Sequence, residues 1–193
     1  MEKYNAHVLF IGDCSFWSER AYEFIFTLFD KVSPVFWETG MPKNESVDSW
    51  RGDWIISFKS DLVLTKEILS RAKLGAINIH PSSTKYRGIG GYHYAIDNKD
   101  PYFGATCHHI DNYIDHGEII KTITFPIIPV EKPNILRQRT AAYCLILLYD
   151  ICINIFHGEK LPTTQEKWEP KLFTKKELEI YLENKGLNNE LTV

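Results

Sequence analysis

Cysteine is scarce in this chain and nowhere paired for chemistry. The 193 residues hold four, at 14, 107, 144 and 152, with no Cys-x-x-Cys spacing. That excludes zinc ribbons and redox dithiols and leaves buried free thiols in a reducing compartment. Basic residues are not in surplus either: 22 Lys and Arg stand against 25 Asp and Glu, a formal net charge of -3. A broad nucleic-acid surface needs a positive patch, so no nucleic-acid partner is expected. Two or three local cations would still suffice for a small anion. The opening stretch, MEKYNAHVLFIGD, has too short an apolar segment for a signal peptide. The longest apolar run, Ala141 to Leu148, falls far below the ~20 residues that span a bilayer. A cytoplasmic protein with no membrane partner is the expectation.

What is present reads as one ordinary globular unit. Apolar residues make up 44% and charged residues 24%, and the length allows a sizeable single core. No internal repeat or linker divides the chain. His7 to Ile11 predicts a buried strand, Ser18 to Phe29 a helix capped by Ser18, and Val32 to Glu38 a second strand. Gly40, Pro42, Asn44 and Gly52 mark residues 39–52 as loop. Asp53 to Phe58 and Gly75 to His80 predict strands around a helix capped by Thr65 and reaching about Lys73. Alternating strands and helices imply an α/β fold with a mostly parallel open sheet and flanking helices. Gly91 to Asp97 predicts a short helix. Tyr102 to Asp111 and Glu118 to Ile127 predict a hairpin with a tight polar link. A long helix follows from Pro133 to Phe156, stopped by Gly158. The tail ends in a short helix, Lys175 to Leu182, and Trp168, Leu172 and Phe173 are placed to pack it down.

One strand end carries polar groups that need an explanation. Side chains alternate faces along a strand, so Asn78 and His80 share a face, their Cα atoms about 6.5–7 Å apart. Pro81 then ends the strand. Open parallel sheets bind ligands beyond such carboxyl ends. Asp115 lies 37 residues after Asn78, in the link between two strands. A turn that brings it back would pair it with His80 and favour the imidazolium. The three types suit attack of an amine on a carbonyl. Asn78 donates to the developing oxyanion, His80 donates or relays a proton, and Asp115 helps deprotonate the amine, directly or through water. A metal site built from His93, His108 and His109 is disfavoured, because adjacent strand residues face opposite ways.

The ordered set NIHPS, YRG, FGATCHHID and IDHGEII resembles the formyltransferase family that uses 10-formyltetrahydrofolate, most nearly its sugar-nucleotide N-formyltransferases. The resemblance is close from Trp54 to Ile127. It implies a Rossmann-like sheet in a single formyltransferase catalytic domain over residues 1–193 with a short helical tail, catalysis by Asn78, His80 and Asp115, and no metal. It also implies a folate slot lined largely by main chain, at positions that match Phe58, Lys59, Asp61 and Leu62 and Asp111 and Asn112.

Which amine is formylated is read from what is missing. A glycinamide ribonucleotide enzyme carries a Gly-rich phosphate loop after its first strand, where this chain has IGDCSFW. The tRNA enzyme carries a second domain. The sugar-nucleotide branch remains, and the resemblance then implies a nucleotide-linked amino sugar destined for surface polysaccharide, such as lipopolysaccharide. Lys85 and Arg87 would meet its diphosphate, Tyr86, Tyr92 or Tyr94 a ring, and Ser82 would also bind the substrate. Glycinamide ribonucleotide as acceptor and hydrolysis of the formyl folate stay as alternatives. The greasy helix 133–156 predicts cover from the tail or from a second subunit in a homodimer.

Overall fold

The computed structural model describes residues 2–42 and 45–187. Hydrophobic alternation builds the centre first. In β1 (Tyr4–Gly12), Val8 and Phe10 point into one core, while Leu9 and Ile11 point into another. A strand buried on both faces must lie inside the sheet. It does, pairing in parallel with β2 (Phe29–Phe36) on one side and β3 (Gly52–Phe58) on the other. β4 (Ala72–His80) adds in parallel to β3. β6 (Tyr102–His109) and β7 (Ile119–Pro126) then add antiparallel, giving the order β2-β1-β3-β4-β6-β7. The sheet is therefore mixed, mostly parallel with an antiparallel flank.

Helices α1 (Phe16–Leu28) and α5 (Pro133–Phe156) pack together on one face, with Ala21, Ile25, Cys144, Leu148 and Cys152 against Phe10, Ile56, Ile77 and Ile79. α5 is long and apolar enough to cross a bilayer, a length that the eight-residue run 141–148 did not reveal. Here one side of it completes the core. Ile135, Ile146 and Ile153 stay exposed on it. Gly158, at φ +66°, ends the helix in a left-handed turn that glycine adopts without steric cost.

Four expectations shift. α1 begins at Phe16 behind Ser15, and Ser18 lies in its first turn, drawn to Asp13 rather than capping the helix. The segment expected as loop contains one turn, α2 (Glu45–Ser49), because Val47 is buried in the second core with Leu9, Ile11 and Val35. α3 shrinks to Lys66–Leu69, capped by Thr65 as expected, and β4 starts at Ala72 because Gly52 pairs with it. The link between β6 and β7 is a broad loop rather than a tight turn. α4 (Gly91–Asp97) and α6 (Lys175–Asn184) follow their predicted spans closely. A pair not foreseen, β5 (Arg87–Gly88) with β8 (Leu172–Phe173), stitches the tail to the segment after β4.

Candidate active site

Register builds the site. Ile77 and Ile79 lie in the α5-side core, so Asn78 and His80 face the opposite side. Antiparallel pairing sets His108 directly across from Asn78, the placement that brings side chains closest. Asp115 reaches this face from the β6–β7 loop in a left-handed conformation, φ +42°. A non-glycine residue holds that shape only when its surroundings enforce it. They do: Arg87 donates through Nε to the Asp115 carbonyl at 2.7 Å and through Nη2 to the Ile114 carbonyl at 2.9 Å. The Gly88 N–H donates to the Asp115 carboxylate at 2.9 Å.

The result is a closed polar cluster. His80 Nδ1 lies 3.3 Å from Asp115 Oδ2, and Nε2 lies 2.9 Å from the Tyr86 carbonyl. His108 Nε2 lies 3.3 Å from Asp115 Oδ1, and its Nδ1 lies 2.8 Å from the His109 carbonyl, to which it donates. The Asn78 amide nitrogen sits 3.1 Å from His108 Nε2 and 3.4 Å from Asp115 Oδ1. His80, His108 and Asp115 are only 5%, 2% and 8% exposed. Burial works to raise the Asp115 carboxyl. The neighbouring His80, His108 and the Gly88 N–H outweigh it and hold the group at about 2.

The Asn78 amide nitrogen lies against His108 and Asp115, so its N–H groups face the cluster. What is spare is Oδ1, buried and without a partner among the described residues. A ligand N–H is the group that would satisfy it.

The expected ligand contacts divide sharply. Phe58 is fully buried core, and Leu62 is partly buried against the second core. Lys59, also left-handed at φ +53°, spends its ammonium on Asp13 at 2.7 Å. Asp61 stays accessible near Thr39, and loss of hydration together with the Asp115 and Asp13 charges raises its carboxyl. Asp111 accepts from the Tyr113 N–H and pairs with His116, and Asn112 is exposed. The loops 59–62 and 111–115 do flank the cluster, because Phe58 pairs with Ile79 and Asp115 belongs to it.

The diphosphate set fares differently. Ser82 is buried and Tyr86 is core, its hydroxyl held by Asp100 and Asn98. Lys85 runs along the Tyr86 ring to Asp100 at 2.6 Å. Arg87 donates to three carbonyls, those of Asp115, Ile114 and Pro170. Tyr92 is partly buried against the Tyr86 cluster. Arg87 thus holds the site loop, while Lys85 is exposed and paired with Asp100. Sequence reasoning missed two members. His108 needed the strand register to be seen beside Asn78. Trp168, expected only to pack the tail, sets its ring edge-on to His108 at 5.1 Å and near His80 at 5.9 Å.

The formyl transferase family pattern matches residues 42–149, more than half of the chain and the stretch that contains Asn78, His80, His108 and Asp115. The chain belongs to the formyl transferase family. The methionyl-tRNA formyltransferase of Pediococcus pentosaceus is 28% identical over 58% of this chain and 38% of its own length. The phosphoribosylglycinamide formyltransferase of Haemophilus influenzae is 30% identical over 55% of this chain and 54% of its own length. The chain therefore spans about half or less of these curated relatives. The N-formyltransferase of Helicobacter canadensis, solved with folinic acid and dTDP-3-aminofucose, superposes with a TM-score of 0.68 at 19% identity, over 88% of this chain and 71% of that one. That likeness is one of fold.

Proposed function

We propose that this protein transfers the formyl group of 10-formyltetrahydrofolate to the amine of a nucleotide-linked amino sugar. The observation that carries the reading is an ionised carboxylate, two imidazoles and an amide with a spare acceptor, gathered at the open ends of β4 and β6. An incoming amine N–H satisfies Asn78 Oδ1 and is thereby aimed. A carboxyl at about 2 is a poor proton acceptor, so Asp115 acts as a fixed negative charge beside the positive charge that builds on the attacking nitrogen. The proton passes to His80. Its Nδ1 lies 3.3 Å from Asp115 and its Nε2 lies 2.9 Å from the Tyr86 carbonyl. Donation to the oxyanion by Asn78 then draws one amide N–H away from His108 or Asp115 once substrate is bound.

The sugar acceptor is supported by the fold likeness and by the mouth of β1. There the Asp13 carboxylate takes the Ser15 N–H and the Ser15 and Ser18 hydroxyls. Those donors, at the start of α1, are the ones a phosphate would use. With them filled by an internal carboxylate, the phosphate of glycinamide ribonucleotide is not held there, and the diphosphate of a nucleotide sugar would be held elsewhere. Cytoplasmic supply of a formylated sugar for surface polysaccharide fits the same reading.

The test offers the purified protein formyl folate with a panel of nucleotide-linked amino sugars, glycinamide ribonucleotide, methionyl-tRNA and water alone. A product heavier by one formyl group with a sugar, and with neither other acceptor, supports the reading. Formylation of another acceptor alone overturns the sugar assignment and keeps the donor. Rapid folate release in water alone, unaffected by any sugar, makes the protein a hydrolase.

A further inference from the structure

We propose that Trp168 is a positioning residue that keeps water off the His80–His108–Asp115 side of the site, and so holds the chemistry to amine transfer instead of hydrolysis. The inference rests on the folate reading above. Trp168 lies outside the residues 42–149 that carry the family pattern. Its segment forms a strap tied on both sides of the indole. Before it, the Glu166 carboxylate accepts from the Thr122 hydroxyl at 2.5 Å. After it, the Glu169 N–H donates to the Thr84 carbonyl at 3.0 Å, and the Pro170 carbonyl accepts from Arg87 at 3.2 Å. β8 then pairs with β5, whose Gly88 N–H holds Asp115.

Between these ties the indole is fixed in three directions. Its N–H donates to the Gly117 carbonyl at 2.8 Å, two residues past Asp115. Its ring stands perpendicular to His108, at 90°, and tilted to His80, at 66°. An apolar ring thus covers the imidazoles, while Asn78 remains the partly open member of the cluster. The acceptor enters past Asn78, and the opposite side is sealed.

Sealing matters because water is the competing nucleophile. The groups that activate an amine would also activate water. Its oxygen would bond to the formyl carbon and the bond from that carbon to N10 would break. One proton of the water would pass to N10, and formate would leave with the other proton released to solvent. Nothing else is consumed, so only access limits the side reaction.

The experiment measures formate and formylated acceptor together, at saturating formyl folate, with and without amino sugar. For Trp168→Ala the ratio of formate to transferred formyl should rise about tenfold or more over wild type, with the folate KM little changed. Trp168→Phe, which keeps a ring but loses the N–H, should restore most of the coupling. Trp168→Leu supplies the same reading if the alanine variant does not fold. A folded Trp168→Ala or Trp168→Leu enzyme with an unchanged ratio overturns the proposal, even if both rates fall together. So does a wild-type enzyme that hydrolyses formyl folate rapidly without acceptor, because Trp168 is then present and not sealing. A wild-type enzyme that consumes no formyl folate overturns the folate reading itself, and that result is seen before any substitution is made.

Discussion

Two carboxylates sit at the open ends of this sheet, both buried and both held below the ordinary carboxylate range, yet they are built for opposite ends. Asp13, after β1, is opposed by burial but overcome by Lys59, Ser15 and Ser18. Its partners are an ammonium at 2.7 Å, two hydroxyls at 2.5 Å and a backbone N–H, and the pair is only 10% and 6% exposed at the side chains. The charges cancel within the chain. Asp115 meets imidazoles at 3.3 Å, an amide at 3.4 Å and a strained backbone. One of its neighbours, Asn78, keeps an acceptor oxygen without a partner among the described residues. A saturated ion pair stabilises and does nothing further. A loose, partly unsatisfied one retains capacity for a ligand.

The comparison breaks most visibly with Asp115→Asn. The amide fills the space but cannot balance positive charge, so kcat for formyl transfer should fall about 10³-fold while folate affinity changes little. Steady-state rates beside folate binding by titration check this, and a near-normal kcat would reduce Asp115 to a loop residue.

Next in size is the closed pair. Lys59→Met leaves Asp13 buried without its cation and should cost about 3 kcal/mol of stability, read from denaturant midpoints. The double variant Asp13→Asn with Lys59→Met should lose less than the sum of the single changes. Additive losses would mean that the pair is not coupled.

The pH dependence sharpens the contrast further. Asp115 has a folded value of about 2 against 3.8 ordinarily, so the native state binds fewer protons than the unfolded chain. That contributes about 2 kcal/mol at neutral pH, lost as pH falls from about 5 toward 2. Asp13, also lowered, adds to the same window. Urea midpoints at pH 7 and pH 3 should therefore converge in Asp115→Asn relative to wild type. An unchanged difference would mean that Asp115 is not held ionised.

The smallest effect belongs to Arg87. Because it grips the carbonyls of Asp115 and Ile114 rather than a substrate phosphate, Arg87→Ala should lower kcat about tenfold with little change in the acceptor KM. A rise confined to KM would restore it to the diphosphate.

Much of this was legible in the residues. The alternation Val8-Leu9-Phe10-Ile11 requires a strand buried on two faces, and the same rule joins Asn78 to His80. Thr65 caps α3 and Pro133 starts α5, because local hydrogen bonds and ring geometry act within a few residues. The partners of the charged side chains were not legible. Lys85 and Arg87 look like anion binders in sequence, since a cation shows its charge there but not its partner. Asp100 and three carbonyls claim them.

The sequence by itself determined the class of fold and the face shared by Asn78 and His80, since a period of two is a property of the backbone. Only the tertiary structure decided what meets that face. His108 arrives through the register of β6 on β4, Asp115 through a left-handed turn enforced by Arg87 and Gly88, and Trp168 through a strap stitched on by β5 and β8. Those contacts join residues far apart in the chain, and no local preference of either partner encodes the distance between them.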